Sequence, residues 1–167
     1  SGTSWVYLVW YLVICMYDMD NPEVMVIYCY VNELVEEVKP EESEVYYLPF
    51  LYGSNAHPLG KAAFVGLTMY HSKAHMLRAI YEGVVFSHRR HIDKLLASRK
   101  PPEAIRMAGG PVQSKVWVQM FADVLGYPIE TVSAKELGAL GCAMAAAIAA
   151  GIYKDYKEAA RHMVRNG

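Results

Sequence analysis

The sequence predicts an α/β domain in which a mixed sheet is flanked by helices. Three observations carry that reading. Strand-like apolar runs open the chain, helical and strand-like segments alternate after them, and 167 residues are enough for one domain with a real hydrophobic core. Charge excludes one large function class. With 16 basic and 17 acidic residues the formal net charge is −1, so the chain lacks the cationic surface that tracks a phosphate backbone. Only His88-Arg89-Arg90-His91 and the last few residues are locally basic, and they read as solvated helix faces. Cys15, Cys29 and Cys142 are odd in number and widely spaced, which suits neither a disulfide framework nor a zinc site and points to the cytoplasm.

The elements follow in order. WVYLVWYLVICMY, residues 5–17, is free of charge but only 13 residues long, well short of the roughly 20 that a helical membrane span needs. It also lacks the basic leader and small-residue cleavage site of a signal peptide. Its valines, tyrosines, tryptophans and isoleucine suggest a strand buried on both faces, or two strands joined by a tight bend. EVMVIYCYV, residues 23–31, has the same character and is expected as strand, with DMDNP (18–22) as the turn between them. These N-terminal strands are expected to pair with strands near 45–53 and 104–108. NELVEEVKPEESEV reads as a short helix and then a surface loop. YYLPFLYGSNAHPLG reads as a strand leaving into a Gly-, Ser-, Asn- and Pro-rich loop of the kind that carries function.

A long helix is predicted from about Ser72 to Ser98. Leu77, Ile80, Tyr81, Val84, Val85, His88, Ile92 and Leu95 recur at threes and fours on one face, and Pro101-Pro102 stops the chain. AIRMAGG is a short strand. SKVWVQMFADVLG is a helix with Val116, Trp117, Met120, Phe121, Val124 and Leu125 inward, Ser114 as N-cap and Gly126 as left-handed C-terminal residue. PIETVS is another strand. KELGALGCAMAAAIAAG is a helix of small residues that lets a neighbouring backbone come close, with Cys142 read as a small buried apolar residue. YKDYKEAARHMVRNG closes the chain as an amphipathic surface helix.

The chemistry-bearing patterns are few. His71 and His75 stand at i, i+4, yet Ser72 occupies the place of a metalloprotease glutamate and no third ligand is nearby, so they read as helix-start and packing residues and no metal site is assigned. There is no Gly-x-Ser-x-Gly elbow and no Walker-type loop. Two small-residue turns remain. Gly2, Thr3 and Ser4 could present hydroxyls and N–H groups to phosphate oxygens. Gly109-Gly110-Pro111 at the mouth of a helix either punctuates a strand-to-helix connection or makes room for a nucleotide.

AAFVGLTMYHSKAHMLRAIYE, Ala62 to Glu82, resembles the second signature of the FGGY family of carbohydrate kinases. It has a small residue, an aromatic, glycine and an aliphatic at Ala62, Phe64, Gly66 and Leu67, then after a seven-residue spacing His75, Met76, Ala79, Ile80 and Glu82. SGTSW resembles the family's second phosphate motif, MAGGPVQSKVWVQMFADVLG its adenosine motif, and ELGALGCAMAAAIAAG the small-residue helix behind the nucleotide. Within the family, YLPFLYGSNAHP and AIYEGVVFSHRRHI are most similar to the L-xylulose kinase branch, with other pentulose kinases next.

The resemblance covers residues 1–5 and roughly 32–163. It implies a single C-terminal nucleotide-binding domain, ribonuclease-H-like, from an actin-type two-domain kinase that phosphorylates a small ketose with ATP and Mg2+. Gly2 and Thr3 would then face the terminal phosphates, and Ala62 would lie along the phosphate chain. Gly109 and Gly110 would pass under the ribose and adenine, and Ser114, with Gln113 beside it, would reach the adenine edge. The implied partners are nucleotide, sugar and the N-terminal domain of the same kinase. Apolar surface left bare toward that domain favours self-association as a homodimer; no nucleic acid and no membrane are expected.

Two features depart from the family. The catalytic aspartate and most of the sugar pocket belong to a first domain that would end just upstream of Ser1 and is absent here. Residues 6–31 are unusually apolar and do not align, so they are a deletion or replacement, or they join pieces not contiguous in the natural protein. Asp18 and Asp20 are the aspartates of that segment, and both read as parts of a solvent turn. The competing classes are a non-catalytic nucleotide-binding or interaction module of the actin and chaperone superfamily and, more weakly, a Rossmann dehydrogenase, whose spaced glycines and acidic ribose partner are missing.

Overall fold

The computed structural model describes residues 22–51, 53, 57–131 and 137–164. Its elements are α1 (Pro22–Glu37), β1 (Tyr46–Leu48), β2 (Ala63–Val65), α2 (Lys73–Leu96), β3 (Ile105–Met107), α3 (Lys115–Leu125), β4 (Ile129–Thr131), α4 (Leu137–Ala149) and α5 (Tyr156–Met163). Among the described residues the strands form two pairs. β1 and β2 are antiparallel with Tyr47 opposite Phe64. β3 and β4 are parallel with Arg106 opposite Glu130, joined by α3 as the crossover that a parallel pair requires. The mixture of parallel and antiparallel pairing with flanking helices agrees with the predicted class.

The first strand expectation that can be judged fails. Residues 23–31 are not a strand: Pro22 opens α1, a position where its missing N–H costs nothing, and the helix continues without a break through Asn32–Glu37. Tyr28, Val31, Leu34, Val35 and Val38 are buried, whereas Val26 and Tyr30 are exposed. That is a helical face, and it packs on α2 and α3. Among the described residues β1 therefore pairs with β2 and β3 with β4, and residues 23–31 supply no strand to either. Residues 5–17 lie outside the described residues.

The main core joins three helices, with Val31 and Val35 from α1, Leu77, Tyr81 and Val85 from α2, and Trp117, Met120, Phe121 and Leu125 from α3 all buried in one cluster. The Tyr81 and Trp117 rings stack at 4.2 Å between centroids. The predicted apolar face of α2 is fully buried as far as Val85 and thins beyond it: His88 is exposed with its ring against the edge of Phe121, Ile92 is partly buried against the core, and Leu95 is exposed. A buried arginine ties α1 to α2. Arg78 pairs with Glu82 at 2.6 Å and donates to the carbonyls of Val35 and Val38, the orphan acceptors at the C-terminal end of α1. Arg89 does the same for α3, donating to the carbonyls of Val124 and Leu125.

β1 lies against α2 at unusually close range. A Cβ added to Gly83 would stand 2.3 Å from the Tyr47 carbonyl oxygen, so only glycine lets the helix approach the strand this closely. On the other side of β1, Gly66 has φ +88° and a Cβ there would stand 2.5 Å from the Glu44 carbonyl oxygen. The signature residue Gly66 is thus a steric requirement of the β1–β2 pair.

At the C-terminal end, α4 packs on α5. Cys142 is exposed, not buried as its alanine-rich setting suggests. Gly138 and Gly141 have nothing within 4 Å of an added Cβ, so no close backbone approach is made there among the described residues. Asp155 caps α5 by accepting from the Glu158 N–H at 2.8 Å.

Candidate nucleotide site

Strand β3 leaves the parallel pair at Met107 and turns through Ala108-Gly109-Gly110 into a single 3-10 turn, Gly110–Gln113, before α3 begins. Gly109 has φ 92° and ψ −168°, a region essentially restricted to glycine. The turn is held by the Val112 N–H on the Gly109 carbonyl and the Ser114 N–H on the Pro111 carbonyl. Among the described residues an added Cβ at Gly109 would meet only Pro111 Cδ, at 4.0 Å, which leaves room beside the glycine for a flat group. The turn sits at the C-terminal end of a parallel strand and the mouth of a helix, where open α/β sheets receive their ligands.

Ser114 behaves as the sequence predicts in one respect and not in another. It is the N-cap of α3, accepting from the Trp117 N–H at 3.1 Å, and Gly126 ends the helix in the left-handed conformation at φ 70°. But Ser114 is only 1% exposed, and its hydroxyl donates to Asn32 Oδ1 at 2.7 Å. That oxygen is therefore already committed twice inside the protein. Gln113 beside it is exposed and is the side chain of this turn that faces outward.

The predicted site residues fall into three groups. Gly109, Gly110, Gln113 and Ser114 form the one turn just described. Ala62 immediately precedes β2 in the other sheet, partly buried against Val45, Tyr47 and Ala79. Gly2 and Thr3 lie outside the described residues. Sequence reasoning missed Asn32 and Tyr81. Tyr81 donates to Asn32 Oδ1 at 3.0 Å, and its carbonyl accepts from Trp117 Nε1 at 3.2 Å. The one signal available was an asparagine in the middle of an apolar helical run, a poor helix residue unless its side chain has work to do.

The remaining candidates are local. His71 Nδ1 accepts from the Thr68 N–H at 2.9 Å and His75 Nδ1 from the Ser72 N–H at 3.2 Å, so both imidazoles organise the entry to α2. Among the described residues no three His, Cys, Asp or Glu side chains cluster to hold a metal ion, and no helix is long and apolar enough to cross a membrane. A pocket of about 210 Å³ lies between β1 and α2, with Tyr46, Phe50, Phe86 and Arg90 in its wall; none of the predicted site residues lines it.

Comparison with known proteins bears on the family and the fold. The model of the C-terminal domain of the FGGY family of carbohydrate kinases matches residues 29–150. The L-xylulose/3-keto-L-gulonate kinase of Escherichia coli K12 is 41% identical over 133 residues, 80% of this chain and 27% of that protein. The crystal structure of xylulose kinase from Rhodospirillum rubrum superposes with a TM-score of 0.72 at 25% identity over 94% of this chain and 32% of the other. Plasmodium falciparum glycerol kinase, solved with ADP, has the same fold at a TM-score of 0.69 and 22% identity, over 99% of this chain and 32% of the other. The chain thus spans about a quarter of the length of the curated relatives it matches. Its fold is the ribonuclease-H-like fold of the actin-type kinases, and the chain belongs to the FGGY family of carbohydrate kinases.

Proposed function

We propose that this chain is the ATP-binding half of a kinase that phosphorylates a small ketose, L-xylulose or a related pentulose. The observation that carries the proposal is the Gly109–Ser114 turn, a glycine-only backbone between a parallel strand and a helix, open above Gly109 and inside the stretch that matches the family. Gly109 and Gly110 pass under ribose and adenine, and Gln113 reaches the adenine edge. Ser114 contributes by fixing the turn, since its hydroxyl is taken. In this reading Ala62 would lie along the phosphate chain, and Gly2 and Thr3 would bind the terminal phosphates. Mg2+ bound with ATP would supply charge neutralisation at the phosphate oxygens; no residue of this chain is assigned to it.

The catalytic base and most of the sugar pocket belong to a sugar-binding domain, which is the partner this chain needs. The identity to an L-xylulose kinase supports the choice of sugar. Cytoplasmic location and a homodimeric assembly complete the reading. The test is a thermal shift with ADP together with a coupled assay across a pentulose panel, using this chain joined to a sugar-binding domain of the family. ADP stabilisation with turnover of a pentulose supports the proposal, and no turnover with any pentulose or hexulose refutes it. A second reading is a nucleotide-binding module without catalysis. It predicts the ADP shift with no turnover in the joined protein.

A further inference from the structure

We infer that Asn32 is a positioning residue of the nucleotide site, acting through Ser114; this rests on the nucleotide reading of the Gly109–Ser114 turn. Asn32 sits inside α1, half-buried beside the buried Val31 and Val35. Its Oδ1 accepts from two hydroxyls distant in sequence, Ser114 Oγ at 2.7 Å and Tyr81 Oη at 3.0 Å. One carbonyl oxygen thus takes two donors, one from the turn and one from α2.

The bond to Ser114 sets more than one side chain. With its proton on Asn32, the Ser114 oxygen is left as acceptor for the Trp117 N–H, and Trp117 is in turn bound to the Tyr81 carbonyl and stacked on the Tyr81 ring. Ser114 also closes the 3-10 turn through its N–H on Pro111. A shift of Ser114 therefore moves Gly110–Gln113, the segment assigned to adenine, relative to β3. No element other than α1 supplies Ser114 with an acceptor among the described residues. Asn32 consequently locks the turn to the helical core, and the nucleotide meets a surface already in its bound shape, which avoids an ordering cost on binding.

The chemistry requires an acceptor oxygen at this position and no particular charge, and this separates positioning from mere packing. The experiment measures ADP affinity of this chain by calorimetry, with the folded fraction of each variant fixed by its thermal melt. Asn32→Leu, which keeps the volume and removes the acceptor, is expected to weaken ADP by about tenfold, the factor set by one well-placed hydrogen bond. Asn32→Asp, which keeps an acceptor oxygen, is expected to stay within about threefold of the parent. Tyr81→Phe removes one donor while keeping the ring stack, and a loss of about threefold there reads the same effect if Asn32→Leu does not fold. Affinity unchanged in Asn32→Leu, or in Tyr81→Phe where only that variant folds, overturns the inference alone. So does an equal loss in Asn32→Leu and Asn32→Asp. No ADP binding by the parent chain overturns the nucleotide reading and the inference with it.

Discussion

Replacing Gly83 with alanine sets two effects of known size against each other. Alanine is the better helix residue by about 1 kcal/mol in a helix interior, and Gly83 lies in the middle of α2. Helix propensity alone therefore predicts a more stable protein. The structure predicts the opposite. The new Cβ would stand 2.3 Å from the Tyr47 carbonyl oxygen and 3.2 Å from its carbon, whereas ordinary contact begins near 3.4 Å, so α2 and β1 must separate by about 1 Å. The obstacle is backbone, and β1 is hydrogen-bonded to β2, so no side chain can swing aside. Overpacking of this kind costs about 1–3 kcal/mol, at the upper end where backbone must move. The net expectation is a loss of about 1–2 kcal/mol, or a melting temperature lower by about 2–8 °C at this chain length. Gly141→Ala is the matched control. Among the described residues nothing lies within 4 Å of its added Cβ, so the same substitution inside α4 should raise stability by about 0.5–1 kcal/mol. Urea unfolding followed by tryptophan fluorescence reads both. If Gly83→Ala were as stable as the parent or more so, the close approach of α2 to β1 would be wrong.

Three further outcomes are expected. Ser114→Ala removes the N-cap acceptor and the donor to Asn32 together, and should cost about 2 kcal/mol in the same urea melts; a loss under about 0.5 kcal/mol would contradict the double role. Burial raises the Tyr47 phenol above its ordinary value of 10.0, so the fold prefers the neutral form: this contribution to stability is intact below pH 10 and is lost as pH climbs through the folded value. The urea midpoint between pH 8 and 11 should therefore fall more steeply in the parent than in Tyr47→Phe; parallel curves would refute it. Finally, this chain alone, given ATP, Mg2+ and L-xylulose, should show no measurable turnover, because transfer needs acceptor, base and nucleotide aligned together. Robust turnover abolished by Asp18→Asn or Asp20→Asn would place the base here.

The sequence by itself determined the elements whose local pattern and tertiary use coincide. In α3 the spacing of Trp117, Met120, Phe121 and Leu125 names the buried face, and Ser114 and Gly126 mark its ends, because capping is satisfied within one turn of the helix. In α2 the periodicity names positions through Ile92, with full burial as far as Val85 and only partial packing beyond it. The glycine turn was legible for the same reason: Gly109 needs a backbone that only glycine adopts, and the requirement is local. Only the tertiary structure decided α1. Six of its first ten residues, Val24, Val26, Ile27, Tyr28, Tyr30 and Val31, are β-branched or aromatic and, taken alone, favour a strand, but Val31, Leu34, Val35 and Val38 bury one helical face against α2 and α3, and burying that face outweighs a weak local preference. Cys142 shows the limit from the other direction, since a uniformly small, apolar helix has no periodicity to say which side is covered. Asn32 lies furthest beyond reach of sequence. Its partners stand 82 and 49 residues away, so an asparagine in an apolar run can mark a side chain with a role but cannot name those partners until the chain has folded the three segments together.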